Sequence, residues 1–197
     1  MEAKKVHMND KANIEIYLKN LNIAYKDRSN EHIPFEEITL KEFMESGFDY
    51  CIVLYDNYIC AGACIRNCKE SNVLVTKINY LWVHPDRKRK GLGNLLIKKI
   101  IEDAIQNCNN MIQLNVASNY KPAVNLYKKN GFKTLLVYAN IPKTYHFIRM
   151  IKTIEPFKYS WIKRWLSLVK SKIIFSILYK SDSSPRMIKR LLYGKKC

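Results

Sequence analysis

Acidic residues are scarce in this chain of 197 residues, since 17 Asp and Glu stand against 34 Lys and Arg and leave a net charge of +17. Such an excess indicates an anionic partner, such as a nucleotide, a nucleic acid or a lipid surface. Gly and Pro are also few, at six each, while 48% of the residues are hydrophobic. This composition excludes a disordered or collagen-like chain and predicts one folded domain, with length to spare for an appendage.

Long apolar runs are missing as well. Residues 1–19 carry charges throughout and lack the apolar core of a signal peptide. The most apolar late stretch, Ile173–Tyr179, is interrupted by Ser176 and is far shorter than the roughly 20 residues that span a membrane. We therefore expect neither a signal peptide nor a transmembrane helix.

Histidine is rare, and the cysteines do not form a metal-binding pattern. Cys60, Cys64 and Cys68 recur every four residues, on a predicted strand and the loop beyond it, but no His lies nearby to complete a zinc set. We expect no metal site. The six cysteines are scattered, which is typical of free thiols in a reducing compartment, so we expect a cytoplasmic protein and leave a peripheral membrane association open.

The hydrophobic periodicity predicts a mixed α/β domain that ends near Lys152. Two helices come first, and the second carries Thr39 and Glu42 at the spacing of a capping box. Asp56-Asn57 is a two-residue hairpin signal within a meander of three antiparallel strands. The predicted helices cover 12–25, 39–46, 92–108 and 121–130, and the predicted strands cover 50–55, 58–65, 73–83, 111–116, 132–138 and 145–151.

A basic, glycine-containing turn joins the third strand to the third helix. Gly91 and Gly93 permit a close approach of the backbone, and the first N–H groups of the helix point outward with a favourable dipole. The segment 87–90 adds four positive charges directly before them. The turn lacks the residues of a P-loop and of a dinucleotide fingerprint. These features predict a phosphate cradle, with a plain charged surface loop as the alternative.

This turn resembles motif A of the GNAT superfamily of acyl-CoA-dependent N-acetyltransferases, Val-x-Pro followed by Arg/Gln-x-x-Gly-x-Gly/Ala. Val83, Pro85, Gly91 and Gly93 match it, and Lys88 stands where the motif has Arg or Gln. The resemblance implies that main-chain N–H groups of the turn bind the CoA pyrophosphate. The implied cofactor-binding residues are Lys88, Arg89, Lys90, Gly91, Leu92, Gly93 and Asn94.

A second stretch looks like motif B of the same superfamily, Asn-x-x-Ala-x-x-Leu-Tyr-x-x-x-Gly-Phe. The CoA-contacting Asn of the motif falls on Tyr120, with Asn119 one residue earlier, and we take Asn119 as a further candidate for cofactor binding. The resemblance covers residues 13–152. The matching residues of motif B are Ala123, Leu126, Tyr127, Gly131 and Phe132.

The resemblance implies a fold and a reaction. The fold is a GNAT-like, mostly antiparallel central sheet flanked by helices, and the reaction is direct acyl transfer from acetyl-CoA to an amine. Main-chain N–H groups freed by a strand bulge, here at Leu81, Trp82 and Val83, polarise the thioester carbonyl. Tyr127 stands where the family places the acid that protonates the thiolate. The alternative for Tyr127 is simple packing of the helix on the sheet.

The general base is not identified. The positions that carry an acidic base in some family members are Asn79 and Asn115 here, and an amide cannot accept the proton at neutral pH. A water chain, one of three N-terminal carboxylates or the imidazole of His84 are the alternatives. The three carboxylates are those of Glu36, Glu37 and Glu42.

The last part of the chain, residues 153–197, is predicted to be a basic amphipathic helical extension beyond the acetyltransferase domain of residues 1–152. Residues 155–197 carry a net charge of +9. Residues 159–180 of this extension have three alternative partners, given in descending order of preference. These are the acetyltransferase domain or a second subunit, a membrane surface, and RNA.

The sequence thus predicts an N-acetyltransferase that moves an acetyl group from acetyl-CoA to a primary amine of a small molecule, such as an amino sugar, a polyamine or an amino acid. The first alternative is an enzyme that acetylates a protein or aminoacyl-tRNA amine. The second is a non-enzymatic, membrane-associated module that binds acyl-CoA, favoured by Asn at both usual base positions.

Overall fold

A computed structural model describes the chain over residues 1–29, 36–70, 72–139 and 146–154. The predictions for the C-terminal extension, including 159–180, lie outside these residues, and the division at 152/153 stays a prediction. A single 3₁₀ turn, Pro85–Arg87, precedes the third helix. The elements are β1 (Glu2–His7), α1 (Lys11–Ser29), α2 (Leu40–Glu45), β2 (Tyr50–Asp56), β3 (Tyr58–Glu70), β4 (Val73–Val83), α3 (Leu92–Gln106), β5 (Met111–Ala117), α4 (Lys121–Lys129), β6 (Lys133–Ala139) and β7 (His146–Thr153).

Seven strands form one sheet in the order β1-β2-β3-β4-β5-β7-β6. Neighbouring strands are antiparallel except β4 and β5, which are parallel and are connected through α3. The predicted mixed, mostly antiparallel sheet flanked by helices is therefore confirmed.

Two features of the strands differ from the prediction. β1 was not predicted, because this edge strand is rich in charge and buries only Val6. Charged side chains on an edge strand protect it from pairing with other chains, and they also hide the apolar pattern of a strand. β3 continues to Glu70, so Cys68 lies in the strand rather than in a loop. Within the described ranges no group of three His, Cys, Asp or Glu could hold a metal ion, and the five cysteines there are free thiols.

The sheet separates two hydrophobic cores. α3 and α4 cover one face, where Leu96, Ile97 and Ile100 of α3 are fully buried. α1 and α2 belong to the core on the other face, where Ile14, Tyr17 and Leu21 of α1 are fully buried. The spacing of these three residues matches one face of a helix. No helix in the described part of the chain is long and apolar enough to cross a membrane.

A buried polar network lies where β4 begins and α3 ends. Asp103 is 4% exposed, accepts hydrogen bonds from the Tyr50 hydroxyl (2.5 Å) and Asn107 Nδ2 (3.1 Å), and forms an ion pair with Lys5. Burial and the bond to Asp103 raise the pKa of Tyr50 to about 12. Asn109 lies in the same region and donates to the Thr76 hydroxyl at 2.7 Å. The network fixes the C-terminal end of α3 to the strands.

Candidate active site

β4 and β5 part at the centre of the sheet. Their parallel ladder runs from the pair Val75 and Met111 to the pair Ile78 and Leu114, but both strands continue beyond it. Residues 79–83 of β4 and 115–117 of β5 therefore line an opening, which we call the β4–β5 cleft. Backbone groups on the facing edges of this cleft are not used in pairing the two strands to each other, so they can bind a ligand.

A β-bulge lies in the part of β4 that borders the cleft. Gly62 of β3 pairs with Trp82 and Cys64 pairs with Asn79, so the two residues Tyr80 and Leu81 stand opposite one residue of β3. Tyr80 has a φ of 46°, in the left-handed region that costs an L-residue roughly 1–2 kcal/mol. The bulge begins one residue before the segment Leu81–Val83 that was predicted to carry the polarising N–H groups.

The glycine turn leads directly into the first turn of α3. Gly91 precedes the helix with a φ of 79°, and a Cβ added there would meet no atom within 4 Å. Leu95 N–H makes the first intrahelical bond, to Gly91 O at 3.0 Å, so the N–H groups of Leu92, Gly93 and Asn94 come before it. Free N–H groups and the positive end of the helix dipole together favour an anionic ligand.

The four cations of segment 87–90 fall into two groups. Arg87 donates to the Tyr58 hydroxyl at 3.1 Å and lies 3.3 Å from Asp56 Oδ2, while Lys88 forms an ion pair with Asp27 of α1. Arg89 and Lys90 are exposed, and none of the described residues forms an ion pair with them. The first two cations therefore anchor the turn, and the last two add positive charge beside the free N–H groups.

α4 packs against the same turn and brings Tyr127 close to it. A Cβ added at Gly93 would lie 3.1 Å from Leu126 Cδ2, so glycine lets the Leu126 side chain of α4 pack closely on the first turn of α3. Asn130 at the end of α4 donates from Nδ2 to Asn94 Oδ1 at 3.0 Å. Tyr127 is 6% exposed, and its ring centroid lies 5.8 Å from that of Phe132. Tyr127 thus lies on the α3 and α4 face of the sheet, next to the residue that touches the glycine turn.

The remaining predicted cofactor residue, Asn119, lies in the turn between β5 and α4. It is exposed, and its carbonyl accepts the N–H of Lys121 at 3.0 Å. Tyr120 occupies the N-cap position of α4. The predicted residues therefore lie on three parts of the fold: the bulged end of β4, the glycine turn with the first turn of α3, and α4 with the turn before it, which carries Asn119.

The model of the Acetyltransferase (GNAT) family matches residues 13–132. The chain belongs to the GNAT acetyltransferase family. It is an acyltransferase that acts with acetyl-CoA as co-substrate, and the exposed cations and free helix N–H groups described above suit the phosphates of that molecule.

Solved structures share the fold of this GNAT acetyltransferase. The ribosomal-protein-S18-alanine N-acetyltransferase from Escherichia coli is 19% identical, with a TM-score of 0.61 over 81% of this chain and 97% of the other. The protein yncA from Salmonella typhimurium, solved with its cofactor acetyl-CoA, is 14% identical, with a TM-score of 0.60 over 80% and 97%. The protein smu.2055 from Streptococcus mutans is 16% identical, with a TM-score of 0.64 over 79% and 100%. A search of curated proteins finds no significant match.

The sheet face opposite α3 and α4 carries a polar group of side chains where the cleft opens in this acetyltransferase. Asn79 and Asn115 are the first residues of β4 and β5 beyond the last ladder pair, and each follows a residue of the α3 and α4 core. Strand alternation places both on the opposite face. Arg149 of β7 donates from Nε to Asn115 Oδ1 at 3.2 Å. Sequence reasoning did not identify Arg149, because nothing in the sequence pairs it with Asn115.

The alternatives for the general base occupy different places in the structure. Glu42 accepts the backbone N–H of Thr39 at 3.2 Å in the predicted capping box, so its carboxylate caps α2. His84 Nδ1 accepts the N–H of Asp86 at 3.4 Å, and its ring lies edge-on to that of Tyr58. Glu36 and Glu37 are exposed.

Proposed function

We propose that this acetyltransferase transfers the acetyl group of acetyl-CoA directly to a primary amine of a small molecule. The observation that carries the proposal is the β4–β5 cleft, which has the glycine turn and Tyr127 on one side and Asn79 with Asn115 on the other. Such a cleft gives the acyl donor and the acceptor opposite approaches to one point of the sheet.

The donor end of the site is built mainly from backbone. The N–H groups of Leu92, Gly93 and Asn94 hold the pyrophosphate, and Gly91 leaves room for it. Arg89 and Lys90 add charge, and Asn119 contributes an amide from the neighbouring turn. Lys88, which is bound to Asp27, acts chiefly by fixing the turn.

The chemistry needs an electrophilic carbonyl and a proton for the leaving sulfur. The N–H groups of Leu81 and Val83 stabilise negative charge on the thioester oxygen as the amine nitrogen bonds to the carbonyl carbon. Trp82 lies between them, and its own N–H is directed to the other edge of β4, where Trp82 pairs with Gly62 of β3. The C–S bond then breaks, and Tyr127 donates its proton to the thiolate. The nitrogen of the new amide releases its extra proton to water, and water returns one proton to the Tyr127 phenolate, so that the tyrosine is restored for the next cycle.

The acceptor end supplies hydrogen bonds and one positive charge. Asn79 and Asn115 can orient a small polar molecule, and a few such groups are typical of small-molecule sites. The guanidinium of Arg149 disfavours a second positive charge nearby, so it favours the neutral, nucleophilic form of the bound amine. This effect compensates in part for the absence of a carboxylate at positions 79 and 115.

Binding and turnover are tested separately on the full chain. Isothermal titration should detect binding of acetyl-CoA, and release of free thiol should then be measured with a panel of amino sugars, polyamines and amino acids. Turnover with a member of the panel is expected. Acetyl-CoA binding with no turnover across the panel would contradict the proposal and favour a macromolecular acceptor.

The second candidate is acetylation of a protein or aminoacyl-tRNA amine. It is favoured by the net charge of +17 and by two structural neighbours, the S18-alanine acetyltransferase and the NatC complex solved with a Gag peptide and CoA. A macromolecular acceptor bound through many charges loses affinity steeply as salt rises. A small acceptor with one charge contact does not, so the salt dependence of the acceptor KM distinguishes the two candidates. A cytoplasmic location suits either acceptor and is proposed with them.

A further inference from the structure

We infer that Tyr17 of α1 is a positioning residue for this reaction, which holds the Tyr80–Leu81 peptide so that Leu81 N–H faces the thioester. The inference rests on the proposed function for the role of the bulge. Tyr17 acts through the backbone of β4 and not by contact with acetyl-CoA.

Tyr17 is attached to the bulge by its hydroxyl. The ring is fully buried, and the hydroxyl donates to the carbonyl oxygen of Tyr80 at 3.2 Å. The C=O and the N–H of a trans peptide lie in one plane and point in opposite directions. A bond that fixes the Tyr80 carbonyl toward α1 therefore directs Leu81 N–H away from α1.

The bulge needs such support because its backbone is strained. Tyr80 has a φ of 46°, and a conformation of this kind persists only where the surroundings determine it. The ring of Tyr80 packs against aromatic rings at centroid distances of 5.6 to 6.1 Å, which holds the side chain. The Tyr17 hydroxyl holds the carbonyl, so both ends of the residue are fixed. The packed rings are those of Tyr25, Phe43 and Phe48.

The surroundings of Tyr17 are fitted to this one position. Its ring lies 5.5 Å from that of Trp82, next to the bulge. A Cβ at Gly62 would lie 2.5 Å from Tyr17 Cε2, so glycine in β3 makes room for the ring. Cys64 Sγ donates to the hydroxyl oxygen at 3.3 Å, which leaves the hydroxyl hydrogen for Tyr80.

The hydroxyl keeps its hydrogen over the working pH range. Burial, followed by the nearby thiols of Cys64 and Cys51, raises the pKa of Tyr17 well above its ordinary value. The bond to Tyr80 is therefore present wherever the enzyme is folded and neutral amines are available.

The test is Tyr17→Phe, which keeps the ring and removes the hydroxyl. We expect kcat to fall about tenfold, less than the roughly 100-fold loss of a whole oxyanion donor, while the Kd of acetyl-CoA from titration stays unchanged. The infrared carbonyl stretch of bound, isotope-labelled acetyl-CoA should move back toward its free value. A merely structural role would leave this stretch unchanged.

Two matched controls accompany the variant. Tyr50→Phe removes another buried hydroxyl, which belongs to the first residue of β2 and lies in the polar network near the start of β4. Cys64→Ala removes the thiol beside Tyr17 but leaves the bond to Tyr80. Both should keep the wild-type carbonyl stretch. Unchanged kcat and stretch in Tyr17→Phe, or an equal change in either control, would overturn the inference.

The infrared measurement needs only bound acetyl-CoA and no acceptor. Failure to acetylate any amine therefore sinks the proposed function without affecting the test of Tyr17. Should Tyr17→Phe not fold, Gly62→Ala replaces it, because the added Cβ displaces the same ring. The same shift of the stretch is then expected, and its absence counts against Tyr17.

Discussion

The two ends of β4 use polar groups in opposite ways. Where the strand begins, Thr76 accepts from Asn109, and the neighbouring hydroxyl of Tyr50 bonds to Asp103, so buried polar groups satisfy one another. Toward the other end of β4, the pairing with β5 stops at Ile78, and a bulge shifts the register of the pairing with β3. One end stabilises the fold, and the other keeps backbone N–H groups for a ligand.

The largest expected effect is a loss of stability when the polar network at the start of β4 is broken. Asp103→Ala removes the acceptor of the Tyr50 hydroxyl and the partner of Lys5, and it should lower the free energy of unfolding by about 3 kcal/mol. Urea denaturation measures the loss. Because the network lies away from the cleft, kcat per folded molecule should stay at the wild-type value, and a parallel loss of kcat would show that the two ends are not independent.

Tyr127→Phe addresses the catalytic end. Loss of the acid should lower kcat about 100-fold, since general acids contribute roughly 10²–10⁴-fold. Acetyl-CoA affinity by titration and the urea midpoint should change little, because the ring and its packing on Phe132 remain. An unchanged kcat would remove Tyr127 from the mechanism and leave it as a packing residue.

Gly62→Ala should lower both the free energy of unfolding and kcat. Gly62 packs against Tyr17, which is part of a hydrophobic core and is also bonded to the bulge. The added Cβ meets the ring of Tyr17 and should cost about 2 kcal/mol of stability through overpacking. It should also lower kcat by displacing Tyr17. Asp103→Ala is the control, since it should also reduce stability, but through the network at the start of β4, and kcat should be kept.

The smallest expected effect concerns the exposed charges. Replacing Arg89 and Lys90 together with Gln should raise the Kd of acetyl-CoA about fivefold at low salt, because exposed charge pairs contribute roughly 0.2–1 kcal/mol each. Lys88→Gln should change the Kd less, since Asp27 already neutralises this cation. Titrations at low and high salt measure both effects, and an equal effect of the two variants would contradict the division of the cations.

Local signals in the sequence predicted most of the fold. β4 has the predicted bounds because a mostly apolar run begins after a turn and ends just before Pro85. The capping box of Thr39 and Glu42 is present because it depends only on residues three positions apart. β1 escaped prediction because an exposed edge strand has no buried face to give it a pattern.

The candidate site was predictable only where it depends on local backbone. The glycine turn could be read from Gly91 and Gly93 and the helix that follows. The bond from Tyr17 to Tyr80 joins residues 63 positions apart, and the bond from Asn130 to Asn94 joins two helices. Such contacts depend on how the elements pack. No sequence pattern predicts them, although the apolar face of the first helix indicates that this helix packs on the sheet.

The attachment of α1 has a consequence for the dimensions of the site. The helix touches the bulge through Tyr17 and the basic turn through Asp27, ten residues later, or about 15 Å along a helix that rises 1.5 Å per residue. The single helix α1 thereby sets the spacing between the basic turn, which binds phosphates, and the β4 bulge, which activates the thioester. A longer or kinked α1 between these two residues would change that spacing, which would then no longer fit the fixed length of the pantetheine arm of acetyl-CoA. Helix α1 would have this effect without contacting the pantetheine arm.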